Sequence, residues 1–135
     1  MNKDPLYILL LFIGFTLSCG RSGSPVSEYV KHSDSVSVAF FVNDSTVHIQ
    51  IKDKTSIQKL GSYIDGETIE RGKCTDTGSI WFYENGKKKM QVDFSINPDC
   101  SYFSYMMNDK MFAKVMSEEA NSYLTGIKKI AQGNI

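Results

Sequence analysis

The sequence contains few of the residues that build reactive sites. It has two histidines and three cysteines in 135 residues, and none of them forms a close pair such as Cys-x-x-Cys, which structural zinc sites use. It also lacks the Gly-x-Ser-x-Gly turn of serine hydrolases and the dense Asp/Asn series of calcium-binding loops. We therefore predict no metal site, no bound cofactor and no catalytic activity.

The sequence also lacks an excess of charge of either sign. Fifteen lysines and arginines balance fifteen aspartates and glutamates, whereas proteins that bind nucleic acids carry a clustered basic surface. The one basic run, at residues 87–89, falls inside a predicted hairpin, where lysines discourage edge-to-edge pairing of strands. A nucleic-acid partner is therefore not predicted.

The longest apolar run is too short to cross a membrane. It covers the twelve residues 6–17, and a spanning helix needs about 20. A short polar start with Lys3 precedes the run, and Leu17-Ser18-Cys19-Gly20 ends it. This combination is typical of a secretory signal peptide.

The residues around Cys19 resemble the lipobox of bacterial lipoproteins. One position departs from that motif, because Thr16 stands where the lipobox usually has leucine. The resemblance implies a signal peptide over residues 1–18 and diacylation of Cys19, with palmitate among the acyl chains. Two acyl chains anchor a protein stably, and the lack of a nearby acidic residue implies the periplasmic face of the outer membrane. An ordinary secretory signal and a buried hydrophobic helix are the alternatives.

Removal of the signal peptide leaves about 117 residues, which is enough for one domain with its own core. Residues 19–34 start with the lipid-bearing cysteine and are rich in glycine and serine, so we predict a flexible tether there. Residues 35–135 form a single predicted domain. Cys74 and Cys100 remain as an even pair, which predicts a disulfide in an exported protein.

The pattern of apolar residues predicts an α+β fold. Alternating residues from Val36 to Ile51 indicate a hairpin, and the stripe of Ile57, Leu60 and Ile64 indicates a helix. A meander of strands follows from Gly78, and a second amphipathic helix ends the chain. The order is β-β-α-β-β-β-β-α, with room for a short strand near residues 68–71. Such an order predicts an antiparallel sheet of about six strands, covered on one face by both helices.

Asn85-Gly86 is a strong signal for a hairpin. A two-residue loop would place Trp81 opposite Met90, and a three-residue loop would place Ile80 there. We predict the second register because it keeps one face apolar. The apolar face then holds Ile80, Phe82, Met90, Val92 and Phe94, and the other holds Trp81, Lys89, Gln91 and Asp93. The same meander brings the strand starts near Cys74 and Cys100 to one end of the sheet, which supports the disulfide.

Four side chains form the candidate binding surface, on the sheet face opposite the predicted core: Trp81, Tyr83, Tyr102 and Met106. Trp and Tyr are enriched among the residues that dominate binding energy at interfaces. The simpler interpretation, which the sequence favours, is cross-strand pairing, with Lys87 and Lys89 lying over Tyr83 and Trp81.

These observations predict a lipid-anchored cell-envelope protein whose domain is a non-catalytic binding module. Its expected contacts are the membrane, through the lipid, and an envelope protein. A binder of glycans or small ligands is the alternative. An enzyme is a third hypothesis and would need His32 or His48 to meet an acid or a nucleophile. The sequence does not indicate an oligomeric state.

Overall fold

The computed structural model describes residues 25–133, so the predicted signal peptide and Cys19 lie outside the described residues. The elements of the described part are, in chain order, α1 (Pro25–His32), β1 (Ser35–Val42), β2 (Ser45–Ile51), α2 (Lys54–Ile64), β3 (Thr68–Ile69), β4 (Gly78–Glu84), β5 (Lys87–Asn97), β6 (Cys100–Met107), β7 (Lys110–Val115) and α3 (Glu118–Gly133). The predicted α+β class is confirmed. Within residues 25–133 there are seven strands and three helices, against about six and two predicted.

The strands form one antiparallel sheet in the order β2-β1-β4-β5-β6-β7-β3. Two-residue turns join four of the neighbouring pairs. In the turns Asn85-Gly86 and Asn108-Asp109 both residues have positive φ, a conformation that glycine, asparagine and aspartate tolerate best. The additional strand, β3, pairs with β7 at the edge of the sheet.

The tether prediction is wrong for residues 25–34. Pro25–His32 forms α1, and both Val26 and Val30 are buried in the core. Proline is tolerated in the first turn of a helix, because its missing N–H would be unpaired there anyway. Val26 and Val30 lie one turn apart and make one short apolar stripe. Residues 25–32 therefore belong to the folded domain.

One face of the sheet, here called the covered face, packs against the helices. Its buried side chains form one cluster with those of α1, α2 and α3. The sheet contributes Val36, Val38, Phe40, Ile80, Phe82, Met90, Val92, Phe94, Phe103 and Tyr105, and the helices contribute Val26, Val30, Ile57, Leu60, Ile64, Ala120, Leu124 and Ile127. Burial of each large apolar side chain stabilises the fold by roughly 1.5–3 kcal/mol. We call the opposite face the open face.

The β4–β5 hairpin has the predicted faces but a different register. Ile80 lies opposite Val92, and Phe82 lies opposite Met90, so the predicted Ile80–Met90 pair is wrong. A β-bulge between Phe82 and Tyr83 inserts one extra residue, Lys89, on β5. Because of the turn and the bulge together, the observed register differs from the predicted one by an even number of residues. The side chains consequently keep their predicted faces.

Candidate functional site: the open face of the sheet

The four predicted binding residues all lie on the open face, but they do not form one patch. Trp81 and Tyr83 are half-buried on β4, and Met106 on β6 is 56% exposed. Tyr102 is only 2% exposed. Along the strands, Tyr102 lies two residues beyond the row of the sheet that contains Ser79, on the side away from Trp81. Tyr102 is therefore removed from the candidate surface.

Tyr102 is buried because the segment at residues 71–76 lies against it. Its hydroxyl donates a hydrogen bond to Asp76 Oδ1 at 2.6 Å, and the guanidinium of Arg71 lies 5.9 Å from its ring centroid. Arg71 and Asp76 also form an ion pair at 2.9 Å. Burial, and next the hydrogen bond to Asp76, raises the pKa of Tyr102 above its usual value. Tyr102 thus has a structural part in holding this segment.

The predicted Cys74–Cys100 disulfide is confirmed. The Cα atoms of the two cysteines lie 6.4 Å apart, within the usual range for a disulfide. The bond ties the segment at residues 71–76 to the first residue of β6. Thr77, the residue after this segment, donates its N–H to the carbonyl of Phe94 on β5 at 2.7 Å. The segment is thus held to both β5 and β6.

A row of polar side chains crosses the open face from β4 to β6. Ser79 lies opposite Asp93, and Asp93 lies opposite Ser104. Asp93 Oδ1 accepts hydrogen bonds from Ser79 Oγ at 2.6 Å and from Gln91 Nε2 at 3.0 Å. Ser104 is 1% exposed, and its hydroxyl has no hydrogen-bond partner within residues 25–133. A buried polar group without a partner costs about 1–3 kcal/mol, so a ligand that supplied a partner would gain affinity.

The indole N–H of Trp81 is a second buried donor that lacks a partner in the described part of the chain. The imidazole of His48 lies tilted by 34° beside the Trp81 ring, with 5.8 Å between ring centroids. The Trp81 ring is thus partly covered by a side chain of β2, which is two strands away in the sheet.

Exposed apolar side chains of β6, β7 and β3 lie near one another on the open face. Met106 lies opposite Met111, and Val115, four residues after Met111 on β7, lies opposite Tyr102. Ile69 lies opposite Ala113, in the row between them. We call Met106, Met111, Val115 and Ile69 the methionine patch; they are 56%, 47%, 39% and 37% exposed.

Sequence reasoning found Met106 but missed the other three members of this patch. A signal for two of them was present. The turn Asn108-Asp109 allows a two-residue hairpin, and that register places Met111 opposite Met106 and Val115 on the same face. Ile69 had no comparable signal, because β3 is only two residues long.

A cleft opens beside the patch, where β5 and β6 part. Their pairing runs from Asn97–Cys100 to Asp93–Ser104 and stops, although β5 continues to Lys87 and β6 to Met107. The cleft has a volume of about 340 Å³ and is lined by Lys89, Met90, Gln91, Asp93, Tyr105, Met106 and Met111. Two members of the methionine patch therefore border it.

The two histidines do not form a catalytic arrangement with an acid and a nucleophile in the described part of the chain. His32 lies 4.0 Å from Glu28 on the exposed side of α1, and His48 contacts Trp81. Between residues 25 and 133, no three histidine, cysteine or acidic residues are grouped so that they could hold a metal ion. Over the same range, no helix has the length and apolar character needed to cross a membrane.

No protein-family model, curated protein or solved structure matches this chain. The two main features of the open face are the methionine patch and the cleft between β5 and β6.

Proposed function

We propose that the protein is a lipid-anchored, non-catalytic module of the cell envelope that binds another envelope protein through its open face. The methionine patch is the observation that carries this proposal. Adjoining apolar side chains exposed on one surface typically mark an interaction site. Methionine suits such a site because its flexible, polarisable side chain adapts to a partner.

A protein partner fits the open face better than a glycan does. A glycan binder is expected to present aromatic rings along a concave groove. Here the Tyr102 ring lies beneath residues 71–76, and His48 lies tilted beside the Trp81 ring. The cleft is lined by three methionines together with Lys89, Gln91, Asp93 and Tyr105. These features favour contact with a polypeptide.

The anchor and the location rest on residues 6–20 and on the disulfide. An apolar run that ends at Cys19 supports export and lipidation. The Cys74–Cys100 bond supports an oxidising compartment, because disulfides are rare in proteins of the reducing cytosol.

Metabolic labelling with an alkyne analogue of palmitate tests the anchor. We expect the wild-type chain to take up the label and fractionate with membranes. The variant Cys19→Ser should lose the label, whereas Cys100→Ser should keep it. A wild-type chain without label would contradict the lipoprotein proposal.

Photo-crosslinking in the cell envelope tests the binding surface. A photoreactive amino acid at Met111 should give a discrete cross-linked product with one protein. The matched control is the same amino acid at Ile130, which is 58% exposed on α3. Met106→Asp should abolish the Met111 product while leaving the fold intact. Equal products from both positions, or none from Met111, would contradict the proposal.

A further inference from the structure

We infer that the partner presents an extended, acidic segment, which enters the cleft between β5 and β6 and pairs with their backbones. This inference rests on the proposed function, since it specifies which element of a partner the open face binds. Its three supports are the unpaired strand backbones, the free Ser104 hydroxyl and the unpaired lysines beside the cleft.

The first support is that β5 and β6 continue beyond their last pair. Beyond the Asp93–Ser104 pair, residues 88–92 of β5 do not pair with residues 105–107 of β6. β5 remains paired with β4 there, and β6 with β7. Each strand thus has one unpaired edge within the cleft. An unpaired strand edge binds extended peptides through main-chain hydrogen bonds.

Alternation along the strands shows which backbone groups face the cleft. The Phe94 carbonyl and the Ile96 N–H both bond with Thr77, on the β4 side of β5. Backbone groups of successive residues in a strand point to opposite sides. Gln91, three residues before Phe94, therefore directs its N–H and carbonyl toward the cleft. By the same alternation along β6, Met106 directs its backbone N–H and carbonyl into the cleft.

The second support is the hydroxyl of Ser104, which lies where the two strands separate. Ser104 forms the last pair with Asp93, and Asp93 lines the cleft. The Ser104 hydroxyl is buried and has no partner in the described part of the chain. A carbonyl at the end of an inserted segment would give it one.

The third support is the charge at the cleft. Within residues 25–133, no carboxylate lies within ion-pair distance of Lys88 or Lys89. Lys89 lines the cleft, and Lys88 Nζ lies 3.3 Å from Gln91 Oε1. Among the residues that line the cleft there is one acid, Asp93, and its two hydrogen bonds come from uncharged donors. Two lysines against one carboxylate leave a positive net charge at the cleft, which favours a partner segment that carries carboxylates.

Side chains alternate between the two faces of an extended segment. A segment paired with Gln91 and Met106 would place every second side chain on the open face, beside Met106 and Met111. Apolar residues suit those positions. Carboxylates suit the end near Lys88 and Lys89. The chemistry of the partner is thus an acidic strand with apolar residues at alternate positions.

Selection from a random library of linear twelve-residue peptides, displayed on phage, tests the inference. The target is the full chain in detergent micelles with the Cys74–Cys100 bond intact. We expect the enriched peptides to combine Asp or Glu with apolar residues at alternate positions. Enrichment of peptides without acidic residues, or of none, would overturn the inference.

A synthetic, fluorescent copy of the most enriched peptide then measures the charge contribution by anisotropy. The double variant Lys88→Glu/Lys89→Glu should bind it about tenfold more weakly. The matched control, Lys128→Glu/Lys129→Glu on α3, carries the same charge change on another element and should change the Kd less than about twofold. Similar Kd values for the two double variants would refute an acidic partner.

Amide hydrogen exchange, followed residue by residue, separates strand pairing from other contacts. Peptide binding should slow exchange at Gln91 and Met106 by at least about tenfold. If exchange there stays unchanged while Met106→Asp still abolishes cross-linking in cells, the proposed function stands and the inserted strand is wrong. If Met106→Asp leaves the cross-link unchanged, the proposed function itself fails.

Discussion

Near the Pro98-Asp99 turn, β5 and β6 pair residue by residue, whereas toward the other end of β6 they separate. We call residues 93–97 and 100–104 the paired end, and residues 87–92 and 105–107 the parted end. The paired end is held from both faces of the sheet. On the open face it has the disulfide and the Tyr102–Asp76 hydrogen bond, and on the other face Asn121 of α3 donates to the Ile96 carbonyl at 2.9 Å.

The parted end has few such contacts. Its side-chain hydrogen bonds run along β5 alone, from Lys88 to Gln91 and from Gln91 to Asp93. This small domain thus has its cross-links in one half of β5 and β6 and its unpaired backbone groups in the other half of the same two strands. Substitutions at the paired end should therefore change stability strongly.

The largest effect is expected from loss of the disulfide. Cys74→Ala/Cys100→Ala should lower the free energy of unfolding by about 3.5 kcal/mol, because the unfolded chain regains the freedom of a loop of about 26 residues. Urea denaturation of the variant and of the oxidised wild-type protein measures the change. Wild-type protein reduced with dithiothreitol should show a similar loss in the free energy of unfolding. A loss below about 1 kcal/mol would show that the other contacts hold the paired end.

The second-largest effect on the free energy of unfolding is expected at Gly78, which faces the ring of Phe94 at the paired end. A Cβ atom there would collide with Phe94 Cζ and with the Ala39 carbonyl oxygen. We expect Gly78→Ala to lower the free energy of unfolding by about 2–3 kcal/mol, as overpacking does. Gly126→Ala on α3, where nothing lies within 4 Å of the added atom, should raise it by about 0.5–1 kcal/mol. Thermal unfolding of both variants measures the two changes in stability. Changes of the same sign would contradict the prediction.

Tyr102→Phe should lower the free energy of unfolding by about 1.5 kcal/mol, since it removes a hydrogen bond to a carboxylate. It should also change the pH dependence. Because the pKa of Tyr102 is raised in the folded state, its contribution is complete below about pH 10 and is lost as the pH rises through the raised pKa.

Urea denaturation from pH 8 to 11 measures this difference. Wild-type stability should decline more steeply above about pH 10 than that of Tyr102→Phe. Parallel pH profiles would mean that Tyr102 ionises as it does in the unfolded chain.

The smallest effects are expected at the row where the two ends meet. Ser79→Ala removes a donor to Asp93 and should cost about 1 kcal/mol. Ser104→Ala removes a buried hydroxyl without a partner among the described residues, so it should not lower the stability and should raise it by about 1 kcal/mol. Chemical denaturation of this matched pair makes the comparison, and equal losses would show that the Ser104 hydroxyl is bonded.

Alternation and turn residues predicted the paired end well. The disulfide and the faces of β4 and β5 follow from the order of strands and from Asn85-Gly86. The register did not follow, because a bulge at Lys89 leaves no mark in the apolar pattern. Helix α1 was missed because its stripe is only Val26 and Val30, amid serines and a proline.

The candidate site was less predictable than the fold. Alternation assigns Tyr102 to a face but cannot show that residues 71–76, which have no periodic pattern, lie over it. It also assumes that neighbouring strands pair along their whole length. The pairing of β5 and β6 stops after Asp93–Ser104, although both strands continue beyond it, and no local pattern in the sequence marks that point.

Helix α1 has a consequence for where a partner can be met. Pro25 belongs to this helix, so no more than five residues lie between the folded domain and Cys19 in the sequence. If Cys19 carries the lipid, a fully extended chain of that length spans about 20 Å, against about 50 Å for a tether that reached residue 34. The domain would then stay within a thin layer above the bilayer and search for its partner in two dimensions. A membrane-attached partner would meet it there at a high effective concentration, so modest affinity for each contact would be enough.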